Sequence, residues 1–287
     1  MSADLEIGLL RTFLAIVDTG GLTAAGKKVG RTQPAITHQI GRLENRLGRA
    51  LFASDRRHIA LAADGEILLE YARAIIRLNN ETYDLLSSRH VTGEVTLGTP
   101  DLYAAYILPE VLGSFARAHP NIEIQLRCTR SIHLHEALAR GELDIALMTN
   151  QPDFKRGELI REEPIAWVSG LTSSIERQDP LPLALLPKGS VYRHRALQAL
   201  RVQGRSWSIR SVCDSIAGLQ ATVLAGLAVS VFPSCALTGN VRRLDGTDGL
   251  PSLSPVELVL HPRPGGVSQA ADYLAQYIGR ELATGSG

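Results

Sequence analysis

The stretch from Leu22 to Leu47 reads LTAAGKKVGRTQPAITHQIGRLENRL and contains two short helical patterns separated by three residues. The first pattern runs from Leu22 to about Val29, and Gly30 follows where the chain must enter the left-handed region that glycine tolerates. Thr32 is placed to cap a second helix, and Pro34 falls in its first turn, where a missing N–H costs little. The stretch therefore predicts a helix-turn-helix.

The second helix has two distinct faces. Residues at helical spacing predict one buried stripe, made of Ile36, Ile40, Leu43 and Leu47. The opposite face is rich in hydrogen-bond donors near its start, which is typical of a helix that enters a DNA major groove. Gln33 can pair with adenine through two hydrogen bonds and Thr37 can touch a thymine methyl, which favours A·T-rich half-sites. The expected DNA contacts in this region are Thr23, Arg31, Thr32, Gln33, Pro34, Thr37, His38 and Arg42.

Charge is distributed unevenly around this stretch. The whole chain carries a net charge of only +1, which excludes a general polyanion binder. Residues 1–60 contain nine Lys and Arg against five Asp and Glu, a net +4, so the rest of the chain carries −3. Contact with DNA phosphates requires such a local excess of positive charge. A helical hairpin inside a core is the alternative for the two helices, and a solvated basic face is the alternative for the clustering, which it explains less well.

A second basic segment follows the helix pair. The apolar segments Leu51–Phe52 and Ile59–Leu61 flank polar residues, which predicts a small hairpin. Arg56 and Arg57 lie at its tip and could contact the sugar-phosphate backbone, as a wing does.

A long helix is predicted from Gly65 to about Arg89. Its apolar residues alternate by four and three, as in a coiled-coil seam of about two heptads. The seam residues are Tyr71, Ile75, Leu78, Thr82 and Leu85. The pattern indicates self-association, with packing of the helix against its own domain as the alternative.

From Gly93 onward the pattern changes to strands that alternate with helices. The predicted strands are 94–98, 122–128, 143–148, 181–186, 206–209, 228–232 and 257–261, and the predicted helices are 104–119, 131–140, 216–225 and 268–282. Such alternation predicts parallel sheets with crossover helices. The strand at 257–261 is expected to return the chain to the first of two sheets.

A winged helix-turn-helix followed by a long self-associating helix resembles the LysR-type transcriptional regulators. The residues that match the N-terminal pattern of that family, in one register, are Gly20, Thr23, Ala25, Gln33-Pro34-Ala35, Thr37, Gln39-Ile40, Leu43-Glu44, Leu47-Gly48 and Leu51-Phe52. Later matches are Ile107-Leu108-Pro109, His119-Pro120, residues 141–146, Gly226-Leu227-Ala228 and Phe232-Pro233. Within the family, residues 9–13 and 31–33 are most similar to the branch that represses motility and exoenzyme genes in enterobacteria.

The resemblance implies an α/β fold with three parts. These are a winged helix-turn-helix DNA-binding domain at 1–62, a dimerisation linker helix at 63–91 and an effector-binding domain at 92–287, two-lobed like a periplasmic binding protein. Lobe 1 would hold 92–166 and 264–287, and lobe 2 would hold 167–263. The protein would bind double-stranded DNA as a homodimer or homotetramer, as a repressor or an activator.

Departures from the family pattern bear on how DNA is read. His38 and Gly41 stand where the family often has Arg, and Ser54 replaces the usual Arg of the wing. Arg56 and Arg57 are therefore expected to take over the phosphate contact.

A cleft between the two lobes is the expected effector site, because such sheets bind ligands beyond the carboxyl ends of their strands. The expected lining residues are Thr99, Pro100, Asp101, Thr129, Ser131, Thr149, Cys213, Ser215 and Pro233. Ser131 and Ser215 are placed to cap helices whose free N–H groups could hold an anionic or carbonyl group of a small effector. A plain capping role is the alternative. Tyr103 and Trp167 could form an aromatic wall or belong to the core.

Enzymatic chemistry is not indicated, and no catalytic residues are assigned. Asp101 and Asp214 could approach each other across the cleft, but no third group accompanies them. Cys128, Cys213 and Cys235 lack CxxC spacing, so neither a disulfide framework nor a metal site is expected, and no cofactor is expected. Thiol redox sensing by Cys213 with Cys235 stays an alternative.

The sequence shows neither a secretory leader nor an apolar run long enough to cross a bilayer, so a cytoplasmic protein without membrane contact is expected. Two other functions stay open. One is a cytoplasmic solute-binding protein whose N-terminal segment docks a partner, and the other is a regulator that answers to a protein partner instead of a small molecule.

Overall fold

The computed structural model describes residues 4–53, 60–87, 91–154 and 157–284. The chain divides into two compact units. The helical unit comprises Met1–His90, Ser114–Pro120 and Arg280–Gly287, and the α/β unit comprises Val91–Gly113 and Asn121–Gly279.

Four helices build the N-terminal part of the helical unit: α1 (Ile7–Thr19), α2 (Leu22–Val29), α3 (Gln33–Leu47) and α4 (Ala63–Ser87). The helix-turn-helix is therefore confirmed, with α2 bounded as predicted. Gly30 has φ 66°, in the left-handed region that ends α2. Thr32 occupies the N-cap position of α3, as predicted, although its side chain makes no capping hydrogen bond.

The core of the helical unit confirms the predicted stripe. Ile36 and Leu43 are fully buried, and they share a cluster with Leu10 and Phe13 of α1. Burying each such side chain contributes about 1.5–3 kcal/mol, which orients α3 and leaves its other face to solvent.

The stem of the predicted wing is present. Phe52 and Leu61 form an antiparallel bridge, and the N–H of Ala53 donates to the carbonyl of Ala60 at 2.8 Å. The tip at 54–59, with Arg56 and Arg57, lies outside the described residues.

The long helix α4 has one face in the core and another that is exposed, so packing against its own domain is confirmed and self-association through this helix stays a prediction. Leu68, Ala72 and Ile76 are buried against the helix-turn-helix core. Tyr71 and Leu78 of the predicted seam are 64% and 58% exposed. The other described seam residues divide, since Ile75 packs partly against the core whereas Thr82 is exposed.

The chain after residue 91 alternates strands and helices. The strands are β1 (Gly93–Thr99), β2 (Ile122–Cys128), β3 (Ile145–Thr149), β4 (Glu158–Glu163), β5 (Ile165–Gly170), β6 (Leu181–Leu185), β7 (Trp207–Val212), β8 (Ser230–Pro233), β9 (Val241–Leu244) and β10 (Val256–Pro262). The helices are α5 (Asp101–Tyr106), α6 (Leu108–Ala118), α7 (Ser131–Ala139), α8 (Val191–Gln203), α9 (Ile216–Leu224) and α10 (Gln269–Thr284). The helix predicted at 104–119 is thus two helices, separated at Ile107.

The first lobe of the α/β unit contains a five-stranded sheet in the order β2-β1-β3-β10-β4. β1 pairs in parallel with β2 and β3, as predicted, whereas β10 pairs antiparallel with β3 and β4. Val256–Pro262 therefore returns the chain to the first sheet. The lobe boundary expected at 263/264 lies too late, because β10 already belongs to the first sheet.

The second lobe contains a three-stranded antiparallel sheet, β8-β5-β9, and a parallel pair, β6-β7. Leu183 and Val229 bridge the two. The chain crosses from β4 to β5 at Pro164, so the first crossing precedes the expected boundary at 166/167. β6, β7 and α9 were predicted, whereas β4, β5, α8 and β9 were not.

Candidate functional site

The start of α3 presents the polar surface that the sequence predicted. Arg31, Gln33, Thr37 and His38 are exposed. The Thr23 hydroxyl donates to Oε1 of Gln33 at 3.1 Å and so orients its amide. Oε1 can accept a second hydrogen bond, so this contact still permits the paired hydrogen bonds to adenine.

Gly26 shapes the turn between the two helices, and sequence reasoning missed it. The N–H of Arg31 donates to the Gly26 carbonyl at 2.8 Å. A Cβ atom at Gly26 would lie 2.6 Å from the carbonyl oxygen of Arg31, closer than side chains allow. The backbones therefore meet only because residue 26 is glycine, and the glycine inside an otherwise helical pattern is the signal that could have revealed it.

Arg42 is engaged within the protein. Its Nη2 lies 3.0 Å from Oε1 of Glu6, and Arg46 pairs with the same oxygen at 2.7 Å. These pairs are half exposed, and such pairs contribute about 0–1 kcal/mol, so a phosphate could replace Glu6. Arg42 is therefore already paired with an acid of the protein, and this distinguishes it from the polar residues at the start of α3.

A buried carboxylate joins three helices of the unit. Asp18 pairs with Lys28 of α2 at 3.0 Å and with Arg73 of α4 at 3.8 Å. Burial raises the pKa of Asp18, while both cations act in the opposite direction. An acidic side chain in the last turn of a helix interacts unfavourably with the helix dipole. The position of Asp18 is therefore the sequence signal that a cation outside α1 pairs with it.

A cavity of about 500 Å³ lies between the lobes of the α/β unit. The predicted residues that line it are Pro100, Asp101, Thr129, Ser131, Thr149 and Ser215. Three predicted residues lie elsewhere. Thr99 is fully buried, Pro233 is buried opposite Ile165 on the neighbouring strand, and Cys213 packs against Gly218 of α9.

Asp101 makes the principal polar contact across the cavity. Its Oδ2 accepts hydrogen bonds from the Ser215 hydroxyl and from the N–H of Ile216, each at 3.0 Å. Ser215 caps α9 as predicted, because its Oγ also accepts from the N–H of Ala217. The predicted free anion position at Ser215 is therefore occupied by Asp101.

The predicted cap at Ser131 is wrong. The N-cap of α7 is Arg130, and Ser131 is a buried residue of the first turn. Asp214 lines the same cavity as Asp101, but it is exposed and its carboxylate lies 3.5 Å from the Arg130 guanidinium.

Tyrosines form the aromatic wall. The hydroxyl of Tyr103 lies 2.6 Å from Oγ1 of Thr149 and 3.0 Å from the hydroxyl of Tyr192 in the other lobe. Burial raises the pKa of Tyr103 to about 12, so it is neutral at pH 7. Trp167 belongs to the core of the second lobe and donates to the Pro251 carbonyl at 2.9 Å. Tyr192 was missed because α8 was missed.

The thiols of Cys235 and Cys128 are poor nucleophiles. Burial and the neighbouring Glu163 raise the pKa of Cys235 to about 12, and burial with nearby Asp101 raises that of Cys128. All three cysteines are free. Among the described residues there is no group of three His, Cys, Asp or Glu side chains that could hold a metal ion. In the same residues, no helix has the length and apolar character of a membrane crossing.

Comparisons with known families agree with this architecture. Residues 7–66 match the bacterial regulatory helix-turn-helix protein model of the lysR family, and residues 88–282 match the LysR substrate binding domain. The chain belongs to the LysR family of transcriptional regulators. It is therefore a DNA-binding regulator and not an enzyme, and a solute-binding protein with a docking module is excluded.

Relatives of this LysR-type regulator cover nearly its whole length. The HTH-type transcriptional regulator DgdR of Burkholderia cepacia is 33% identical over 260 residues, which are 91% of this chain and 88% of DgdR. PecT of Dickeya dadantii is 31% identical over 261 residues, covering 91% and 83% of the two chains. The crystal structure of CbnR, a LysR family regulator, has the same fold with a TM-score of 0.52 and 22% identity, covering 96% of this chain and all of CbnR.

Proposed function

We propose that this LysR-type regulator reads operator DNA through the start of α3 and senses a small effector in the interlobe cavity. The observation that supports DNA reading is the division of α3 into two faces. Ile36 and Leu43 are fully buried on one face, while Gln33, Thr37 and His38 are exposed on the other. The core therefore fixes which side chains can reach a major groove.

Base contacts are assigned to two residues on the exposed face. Gln33, with its amide oriented by Thr23, is proposed to pair with adenine. The Thr37 hydroxyl donates to the Gln33 carbonyl at 3.1 Å, which leaves its methyl group as the part that meets a thymine. Arg31, Arg42, Arg56 and Arg57 are proposed to contact phosphates.

Self-association is assigned to the exposed apolar face of α4. Ile67, Tyr71, Leu78 and Leu86 are each at least 58% exposed. Pairing of two such helices would bury this face and present two α3 helices to two half-sites. CbnR has been crystallised in full length with its target DNA. We propose a homodimer, or a tetramer of two dimers, acting in the cytoplasm, where bacterial DNA lies.

A small-molecule effector fits the cavity better than the alternative signals. A volume of about 500 Å³ is within the range of small-ligand sites. Its lining offers the hydroxyls of Thr129, Thr149 and Ser190 beside apolar side chains. Thiol sensing is not favoured, because a pKa of about 12 keeps Cys235 protonated.

Footprinting with purified full-length protein on genomic fragments that it retains tests the DNA part. A protected site rich in A·T pairs is expected, and Gln33→Ala should relax base preference at one position by about 1–3 kcal/mol while leaving non-specific binding unchanged. Arg56→Ala combined with Arg57→Ala is the contrasting variant, because it should weaken binding to every sequence and flatten the salt dependence. Equal weakening of all sequences by Gln33→Ala would contradict its role, and the absence of any protected site would contradict the proposal.

A further inference from the structure

One anion position in the interlobe cavity is occupied by the protein itself. The N-terminus of α9 carries backbone N–H groups that have no partner within the helix and a partial positive charge, which together attract anions. Asp101 belongs to the first turn of α5, in the opposite lobe, and places its Oδ2 at this point. Ser215 and Ile216 donate to this oxygen, each at 3.0 Å.

The other oxygen of the same carboxylate is also engaged. Oδ1 of Asp101 accepts a hydrogen bond from the N–H of Leu102 at 2.9 Å. Hydrogen bonds to an ionised carboxylate are roughly twice as strong as those between neutral groups. A ligand that took the place of Asp101 at the start of α9 would have to replace the two bonds from Ser215 and Ile216.

We propose that Asp101 determines the chemical class of the effector by excluding carboxylates from the start of α9. This inference rests on the proposed function, in which the effector binds in this cavity. A carboxylate would have to displace Asp101 or lie beside it, and two like charges at short distance inside a protein repel strongly. The effector is therefore neutral or cationic at the end that meets Asp101.

The charges on the remaining wall agree with this assignment. Among the described lining residues, Asp101 and Asp214 are acidic and Arg130 is basic, so the carboxylates and the guanidinium of the wall sum to −1. The guanidinium of Arg130 lies 3.5 Å from the exposed carboxylate of Asp214, which partly offsets its positive charge. The remaining polar groups of the wall include neutral hydroxyls, which suit uncharged donors and acceptors.

Removing the carboxylate should create a carboxylate site. The test is calorimetric titration of the full-length protein with sodium benzoate, with benzamide as the neutral probe of the same shape at equal ionic strength. Wild type should bind benzoate no more tightly than benzamide. Asp101→Ala should bind benzoate at least tenfold more tightly than wild type, because Ser215 and Ile216 become available, and adding Ser215→Ala should remove most of that gain.

Asp101→Asn is the matched control, because it removes the same charge but keeps a side-chain oxygen that can accept from Ser215 and Ile216. It should gain much less benzoate affinity than Asp101→Ala. The proposal is overturned if Asp101→Asn gains as much as Asp101→Ala, if wild type binds benzoate as tightly as Asp101→Ala does, or if folded Asp101→Ala gains nothing. If Asp101→Ala does not fold, Asp101→Ser is used in its place, because it also removes the carboxylate from the start of α9. The proposed function would be contradicted by a different result, in which no ligand that binds in the cavity alters the DNA footprint.

Discussion

The hydroxyl of Tyr103 joins the two lobes, and its removal gives a graded prediction. Tyr103→Phe deletes the bonds to Thr149 at 2.6 Å and to Tyr192 at 3.0 Å. Both partners are buried, and leaving a buried hydroxyl unsatisfied costs about 1–3 kcal/mol, so we expect a loss of about 2–4 kcal/mol. Tyr192→Phe deletes only the second bond, and the Tyr103 hydroxyl keeps Thr149, so a loss of about 1 kcal/mol is expected.

Calorimetric melting of the full-length variants measures these losses. For a domain of this size, 1 kcal/mol corresponds to a shift of about 2–4 °C in Tm, so Tyr103→Phe should lower the Tm of the α/β unit several times more than Tyr192→Phe. The loss of Tm in the double variant should be smaller than the sum of the losses in the two single variants, because the two hydroxyls share one hydrogen bond. Strict additivity, or equal small losses from both single variants, would refute the interlobe bond and show that cavity water replaces it.

Three further predictions concern the helical unit. Gly26→Ala should destabilise that unit by about 1–3 kcal/mol and abolish specific DNA binding, because the new Cβ atom would lie 2.6 Å from the carbonyl oxygen of Arg31. Thermal melting measures the loss of stability and a gel shift measures the binding. Unchanged DNA binding would contradict the prediction. Leu78→Glu should give monomers in light scattering, whereas Val202→Glu, at a residue that is 85% exposed, should leave assembly unchanged; a Leu78→Glu dimer would count against the α4 face. Asp18→Asn should flatten part of the pH dependence of stability. Burial raises the folded pKa of Asp18 above 3.8, so the folded state holds its proton more tightly, and wild-type stability should fall as pH rises from about 4 through that raised pKa. Denaturation from pH 4 to 7 measures this, and parallel curves for the two proteins would exclude the assignment.

Local patterns were enough to predict the helix-turn-helix. Gly30 and the apolar stripe of α3 are signals within a few residues of one another, so the helix-turn-helix was predictable almost to the residue. The carboxyl ends of β1, β2 and β3 likewise identified Asp101, Thr129 and Thr149 as cavity residues.

Long-range contacts were not predictable in the same way. Asp101 reaches Ser215 across 114 positions of sequence, and no local pattern states which helix a carboxylate will meet. α8 carries polar residues on several sides, so its periodicity is weak, and Tyr192 was missed with it. Serine is common at helix caps, so the sequence favours a cap at Ser131, but α7 begins with Ser131 itself and buries its side chain, leaving Arg130 at the N-cap.

In the proposed dimer, α4 would act as a rigid spacer as well as a contact surface. Its 25 residues extend about 37 Å, close to the roughly 34 Å of one B-DNA turn. Because Leu68, Ala72 and Ile76 anchor its first half in the helix-turn-helix core, the helix cannot rotate without carrying α3 with it. One residue inserted beyond Leu78 would turn any partner held by the distal half by about 100° and advance it by about 1.5 Å. In the proposed dimer, the length of α4 would therefore set the phasing of the two operator half-sites.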